Sequence, residues 1–269
     1  MRILILGDLI GIVGRSMVQK HLAKLKQLYD IDATVVNGEN SNNNGKGITP
    51  RIVQSLKHIG INVITTGNHI WDQRDILPYL KENTDVLRPA NFPAECPGTG
   101  VTTFHCQGFE VAVINVQGRV FMKEDLDCPF KTVDSLLTYL KHKTNIILVD
   151  VHAEATAEKM ALAYYLDGRV SCVVGTHTHV PTADERVLPE GTAYVSDLGM
   201  VGALNSLIGF KKEAVIERFK SQMPNKFMVE HKAPIVLTGI WVEIDTKTGK
   251  ALQINRIKVV DEELFLEDE

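Results

Sequence analysis

Aromatic residues are scarce, 6% of the chain with only two tryptophans, so any core must be built from aliphatic side chains. Hydrophobic types of all kinds reach 44%, which excludes disorder as the main state. Long apolar runs are missing as well. Segments such as 146–149 and 111–113 fall far short of the roughly 20 residues that span a bilayer, so no membrane partner is expected. The opening MRILILGDLIG is too short in aliphatics for a secretory leader and is interrupted by Asp8, which makes a cytoplasmic location the expectation. The four cysteines, Cys96, Cys106, Cys128 and Cys172, have no CxxC spacing. That excludes a disulfide framework and reads as reduced thiols. Charge of one sign is lacking too: 33 acidic against 29 basic residues leave a net charge of −4. Nothing in that balance marks a polyphosphate-binding surface, and no stable nucleic-acid partner is expected. No repeat, biased tract or Pro/Ser-rich linker divides the sequence, so residues 1–269 are read as one domain.

What is present is a regular alternation. Residues 2–7 form an aliphatic run read as a buried strand, and 15–29 carry Val18, Leu22, Leu25 and Leu28 at helical spacing. Residues 33–37 read as a second strand. Pro50 opens a helix that stops at Gly60, 62–66 read as a third strand, and a further helix runs through Leu80. This βαβαβα order predicts a parallel sheet with helices on its faces. A hairpin around Gly108 follows. Then come a helix over 132–141, a strand over 145–151, a helix over 155–166 and a strand over 170–174. Short strands are expected at 183–187, 193–196, 235–244 and 251–259, and the acidic end, 261–269, is read as a solvated tail. Two packed sheets between helix layers accommodate the whole pattern.

The chemistry-bearing residues cluster at one kind of place, the carboxyl end of a predicted strand. Gly7-Asp8, Asn37-Gly38-Glu39-Asn40, Gly67-Asn68-His69, His152 and Gly175-Thr176-His177-Thr178-His179 each follow a strand. In α/β sheets that edge is where ligands bind. Asp8, Glu39 and Asn68 stand 31 and 29 residues apart, about one βαβ unit each, so adjacent strands bring them side by side. Carboxylate, amide oxygen and imidazole suit Mn, Fe or Zn, and there are too many candidates for one tetrahedral ion. Two metals sharing a bridging carboxylate would use them all and would turn water into a nucleophile near neutral pH.

These five blocks, in this order and strand context, resemble the calcineurin-like metallophosphoesterases. Glu39-Asn40 in the second block, together with HAEATAEK at 152–159 and SDLGMVG at 196–202, is similar to the YmdB-like bacterial phosphodiesterase branch. The resemblance implies a four-layer α/β/β/α sandwich. It implies Asp8, Glu39, Asn40 and His179 around a first metal, and Glu39, Asn68, His152 and His177 around a second, with Glu39 bridging. Iron is favoured and manganese is the alternative. His69 would stand outside the metals as the general acid for the leaving oxygen, while a bridging hydroxide attacks phosphorus. The implied substrates are cyclic nucleotides, 2′,3′-cyclic monophosphates before 3′,5′-cyclic AMP. The wider group has a histidine two residues after the first aspartate; here Ile10 stands there, and Asn40 is the substitute ligand. A homo-oligomer, dimer or tetramer, is expected, with the Trp-containing C-terminal hairpin as one contact.

Other readings compete. A dinucleotide loop at 7–14 lacks the G-x-G-x-x-G spacing, and Gly45-Lys46-Gly47 fails the P-loop pattern. A phosphomonoesterase or nuclease would use the same metals, and a regulator holding metal or nucleotide without turnover would lack a use for His69. Asp150, Glu154 and Asp197 are candidates for orienting ligand imidazoles, or are surface and capping acids. Trp71 is either a base-stacking residue or a core indole. Cys172 reads as a small core hydrophobe. His21, His58, His105, His142 and His231 have no motif around them and read as surface or incidental residues.

Overall fold

The computed structural model describes residues 1–263. A first sheet begins with β1 (Arg2–Leu9), β2 (Ala33–Asn37), β3 (Val63–Thr65) and β4 (Val86–Leu87), all parallel. A second holds β5 (Val101–Cys106), β6 (Phe109–Gln117), β7 (Ile146–His152), β8 (Cys172–Thr176), β9 (Arg186–Val187) and β10 (Ala193–Val195). The chain then returns to the first sheet with β11 (Met200–Ala203), β12 (Ile235–Ile244) and β13 (Ala251–Asp261). Strand order is β13-β12-β11-β1-β2-β3-β4 in one sheet and β5-β6-β7-β8-β10-β9 in the other.

Alternation along the strands decides how the sheets stack, because successive side chains point to opposite faces. Ile3, Ile5 and Val35 pack with Val111, Val113, Ile146, Leu148 and Val174 of the other sheet, forming the core between the two. Their neighbours Leu4, Leu6 and Val36 point outward onto α1 (Gly11–Tyr29), α2 (Pro50–His58) and α3 (Ile76–Glu82), through Met17, Leu22, Val53, Leu56 and Ile76. On the far side, Ala112, Ile114, Ile147 and Val149 meet α4 (Pro129–Leu140) and α5 (Thr156–Tyr165), through Val133, Leu140 and Leu162. The layers run α/β/β/α, as expected from the sequence. Among the described residues no helix is long and apolar enough to cross a membrane. The four cysteines are free, and Cys172 lies buried in the core between the sheets.

Several local expectations need correction. α1 starts at Gly11 rather than at residue 15, and β11 and α6 (Lys212–Ser221) have no counterpart among the expected elements. β11 is only four residues long and sits in a Gly-rich stretch, too short for its period to show. It nonetheless fills the place beside the carboxyl end of β1, pairing Asp8 with Met200, where β12 diverges after pairing Arg2 to Leu6. Asp261 is not in a solvated tail. It ends β13 opposite Ile235 and is bound by Lys20 and His21, both at 2.7 Å, so His21 is not incidental either. The rest of that expected tail, from 264 onward, lies outside the described residues. Trp241 of the C-terminal hairpin packs within the chain, under Arg2 and beside Tyr29.

The core between the sheets sets the distance between their carboxyl edges. Leu148→Ala is therefore expected to lower unfolding stability by about 2–5 kcal/mol, while Leu28→Ala, 63% exposed, changes it by less than about 0.5 kcal/mol. Chemical denaturation of both variants checks this.

Candidate metal centre

Both sheets point their parallel carboxyl ends at the same gap. β1 brings Asp8, fully buried, in register with Asn37 at the end of β2. The turn after β2 places Glu39 and Asn40, both buried. The turn after β3 places Asn68 and His69, whose backbone N–H donates to Glu39 Oε2 at 3.0 Å. β7 ends in His152, in register with Thr176 of β8, and the turn after β8 supplies His177 and His179.

The tightest meeting is around His152. Its Nε2 lies 3.0 Å from Asn68 Oδ1, 3.0 Å from His177 Nδ1 and 3.1 Å from Glu39 Oε1. Potential ligand atoms of Glu39, His152 and His177 all fall within 4.8 Å of one another. Asp8 and His179 sit alongside: Asp8 Oδ2 accepts from the His177 N–H at 3.3 Å, and Asp8 Oδ1 is 3.9 Å from His179 Nε2. Asn40 is fixed by donating its Nδ2 to Gly45 O at 3.0 Å, which leaves its Oδ1 buried without a partner. Asp8 Oδ1 is likewise buried with no hydrogen-bond partner. His69 stands at the rim, one quarter exposed, with Nδ1 2.8 Å from Asp72 Oδ2.

Burial and close neighbours shift the titratable groups in this gap strongly. Burial pushes the Asp8 carboxyl well above its ordinary range, opposed by His152 and reinforced by Glu39, Asp197 and Asp150. Burial favours neutral His152 and neutral Glu39, yet each holds the other charged; His152 is shifted up and Glu39 down. His177 is pushed down to about 3, by burial first and by neighbouring His152 next. Burial also lowers His179, against the acceptor Ile208 O at 2.8 Å from its Nδ1. Neutral imidazoles, orphaned oxygens and clustered carboxylates are the donor set of a hard or borderline cation. The residues present fit a metal.

Supporting contacts were only partly legible. Thr176 Oγ1 stands between His152 Nδ1, at 3.0 Å, and Asp150 Oδ1, to which it donates at 2.7 Å. Asp150 therefore reaches the imidazole through a threonine that sequence reasoning missed. Thr65 and Asn37 donate to the other oxygen of Asp150. Glu154 contacts His177 Nε2 at 3.3 Å. Asp197 touches no ligand imidazole. It pairs with buried Lys159 at 2.7 Å and accepts from Thr178, between the two loop histidines, at 2.8 Å. Trp71 is half-buried, edge-on to Phe92 at 5.5 Å, as a packing residue. Gly67 is required where it stands, because a Cβ there would lie about 2.1–2.2 Å from the His152 ring.

A family model described as "YmdB-like protein" matches residues 4–257. The chain belongs to the YmdB-like family. It is 46% identical, over 99% of its own length and all of the other, to a Bacillus subtilis (strain 168) protein named 2′,3′-cyclic-nucleotide 2′-phosphodiesterase. A solved structure from Thermus thermophilus, described as a hypothetical protein, superposes with a TM-score of 0.90 at 38% identity, covering 97% of this chain and 100% of that one. A structure from Mycoplasma pneumoniae described as a novel phosphatase does so at 0.90 and 35%, covering 97% and 94%. The resemblance drawn from the five motif blocks is thereby borne out for this YmdB-like chain.

Gly67→Ala is expected to displace the His152 ring and reduce metal affinity by at least about tenfold while leaving the far-ultraviolet circular dichroism unchanged. Elemental analysis of dialysed protein checks it. Metal uptake must also remove the proton that Glu39 holds on His152. Because that pKa is raised, the histidine is protonated in metal-free protein at neutral pH, so loading releases protons and tightens as pH rises. Titration with metal in weakly buffered solution reads this as acidification.

Proposed function

We propose that this YmdB-like hydrolytic phosphoesterase cleaves cyclic nucleotides, with 2′,3′-cyclic monophosphates favoured over 3′,5′-cyclic AMP, at a pair of metal ions. Its standing as a phosphoesterase rests on its family and named relatives. The observation that supports the finer reading is the approach of Glu39, Asn68 and His177 to His152 Nε2, with Asp8 and His179 alongside. The Bacillus relative's name supports the cyclic substrate.

In this reading Asp8, Glu39, Asn40 and His179 would hold one ion, and Glu39, Asn68, His152 and His177 would hold the other. Iron is favoured over manganese. When bound, such ions supply Lewis acidity toward phosphoryl oxygens and activate water. The chain's own residues do the rest. Thr176, held by Asp150, accepts the Nδ1–H of His152 and leaves Nε2 facing the gap. Asn68 turns its amide toward the same place and helps to stabilise charge on the phosphoryl oxygens. Asp72 accepts the Nδ1–H of His69, so that a protonated ring delivers its Nε2–H to the leaving sugar oxygen. The rim position of His69 suits this, because the leaving group must depart toward solvent.

The same reading takes residues 1–269 as one catalytic unit, located in the cytoplasm and assembled as a homo-oligomer. A second reading, phosphomonoester hydrolysis at the same ions, draws support from the Mycoplasma neighbour described as a phosphatase.

A substrate panel separates the two. Bis-p-nitrophenyl phosphate and 2′,3′-cyclic AMP are expected to turn over faster than p-nitrophenyl phosphate, and the reverse order supports the monoesterase. Glu39→Gln should abolish hydrolysis. His69→Ala should lower kcat by about 10²- to 10⁴-fold with metal content unchanged; full turnover by that variant overturns the acid assignment.

A further inference from the structure

The loop that follows β6, residues 118–127, is held at several points and leaves one aromatic ring uncovered. Glu158 of α5 accepts from the N–H groups of Arg119 and Val120, each at 3.0 Å. Asn91 clasps the loop's two ends, donating to Gln117 O at 2.8 Å and Asp127 O at 3.0 Å. Gln117 Nε2 donates to Glu124 Oε2 at 2.9 Å. Between these anchors Phe121 is 87% exposed, with φ at 62°. Bulky side chains rarely take that left-handed conformation, and a free phenyl ring would gain by burial. Here a fastened backbone presents the ring outward.

The loop leaves the second sheet beside the metal centre. Gln117 is in register with His152, and the Gly118 N–H donates to His152 O at 3.0 Å. Gln117 lies on the face of β6 that carries Val111 and Val113, the face turned to the other sheet. It is fully buried, and its Oε1 has no partner. An acceptor without a donor therefore sits next to His152, at the root of a loop that displays an aromatic ring. The loop's charge is mixed, Arg119 and Lys123 against Glu124, Asp125 and Asp127, so the exposed ring rather than charge is what it offers a ligand.

We propose that this loop is the nucleoside end of the substrate site, with Phe121 as the stacking platform for the nucleobase. The assignment rests on the nucleotide reading above and adds where the base goes. Stacking uses the π-face common to all bases, so this platform favours nucleotides over abasic phosphates and discriminates little among the four bases.

The test is calorimetric binding of adenosine 3′-monophosphate and of inorganic phosphate to metal-loaded protein. Phe121→Ala is expected to raise the Kd of the nucleotide about tenfold, within the range of one base–aromatic stack, with phosphate Kd changed by less than about twofold. Phe121→Tyr keeps the ring and should keep the wild-type Kd. Equal nucleotide Kd in wild type and Phe121→Ala overturns the assignment, as does an equal loss for both ligands or an absence of nucleotide binding to wild type. A change in oligomeric mass by light scattering, with unchanged nucleotide Kd, would make Phe121 an interface residue instead. Wild-type protein that binds the nucleotide but hydrolyses no cyclic nucleotide sinks the substrate reading alone, and the Kd comparison still decides Phe121.

Discussion

A single ring nitrogen, Nε2 of His152, faces an amide oxygen, a carboxylate oxygen and a second imidazole nitrogen at 3.0–3.1 Å. That nitrogen can donate one hydrogen at most. With Nδ1–H turned to Thr176, it has none to offer in the neutral ring. With the His177 Nε2–H turned to Glu154, its Nδ1 offers a lone pair too. Three lone pairs then point at a fourth in a largely buried gap, and a positive charge makes that arrangement favourable. A proton fills the role when the carboxylate of Glu39 draws it onto the ring, and a divalent ion does so better, because it can accept from all four atoms. The rest of the site is the means of holding four separate chain segments in that crowded contact.

Strand alternation supplies most of the means. Along β7, Ile146 and Leu148 lie in the core between the sheets, and the next residues on the same face are Asp150 and His152. Along β6 the sequence on that face is Val111, Val113, Asn115, Gln117, and β2 passes from Val35 to Asn37. The gap between the sheets thus changes character in steps, from aliphatic core to a buried polar layer to the ligands. In the polar layer Asn37 and Thr65 of one sheet and Thr176 of the other all donate to Asp150, and Asn115 Oδ1 accepts from the Thr66 N–H. Those bonds tie the sheets together directly beneath the metal centre. An apolar layer there would leave the His152 tautomer unset.

The gathering of donor side chains at one edge was readable because each candidate follows a strand whose aliphatic run is plain in the sequence, and five such endings in order are hard to obtain by chance. The four layers followed from the same runs. The polar layer was not readable. Asn37, Thr65 and Thr176 are ordinary strand or turn residues in sequence, and their importance lies in contacts between sheets that periodicity cannot reveal. β11 was hidden by its length and its glycines, although it lines the flank of Asp8. Asp197, a candidate for orienting imidazoles, acts on them without touching a ring. A carboxylate near histidines in a motif suggests an imidazole partner, but its partner is Lys159, which arrives from a helix nearly forty residues earlier.

That ion pair bears on the most strained part of the site. His177 and His179 both have positive φ, 99° and 65°, in a turn where neither is glycine. Such conformations persist only where the surroundings impose them. Thr178, between the two, is held through both its N–H and its hydroxyl by Asp197. Asp197 is in turn fixed by Lys159 and by the N–H of Gly199. Gly175, just before the turn, lets the strand approach Ser196 so closely that any Cβ there would overlap its carbonyl oxygen. Buried ion pairs are weak stabilisers, since desolvation offsets most of their attraction, but they are strict about geometry. Lys159 and Asp197 therefore hold the turn in place more than they stabilise the fold: they keep two imidazoles aimed at the centre from a turn that would otherwise relax.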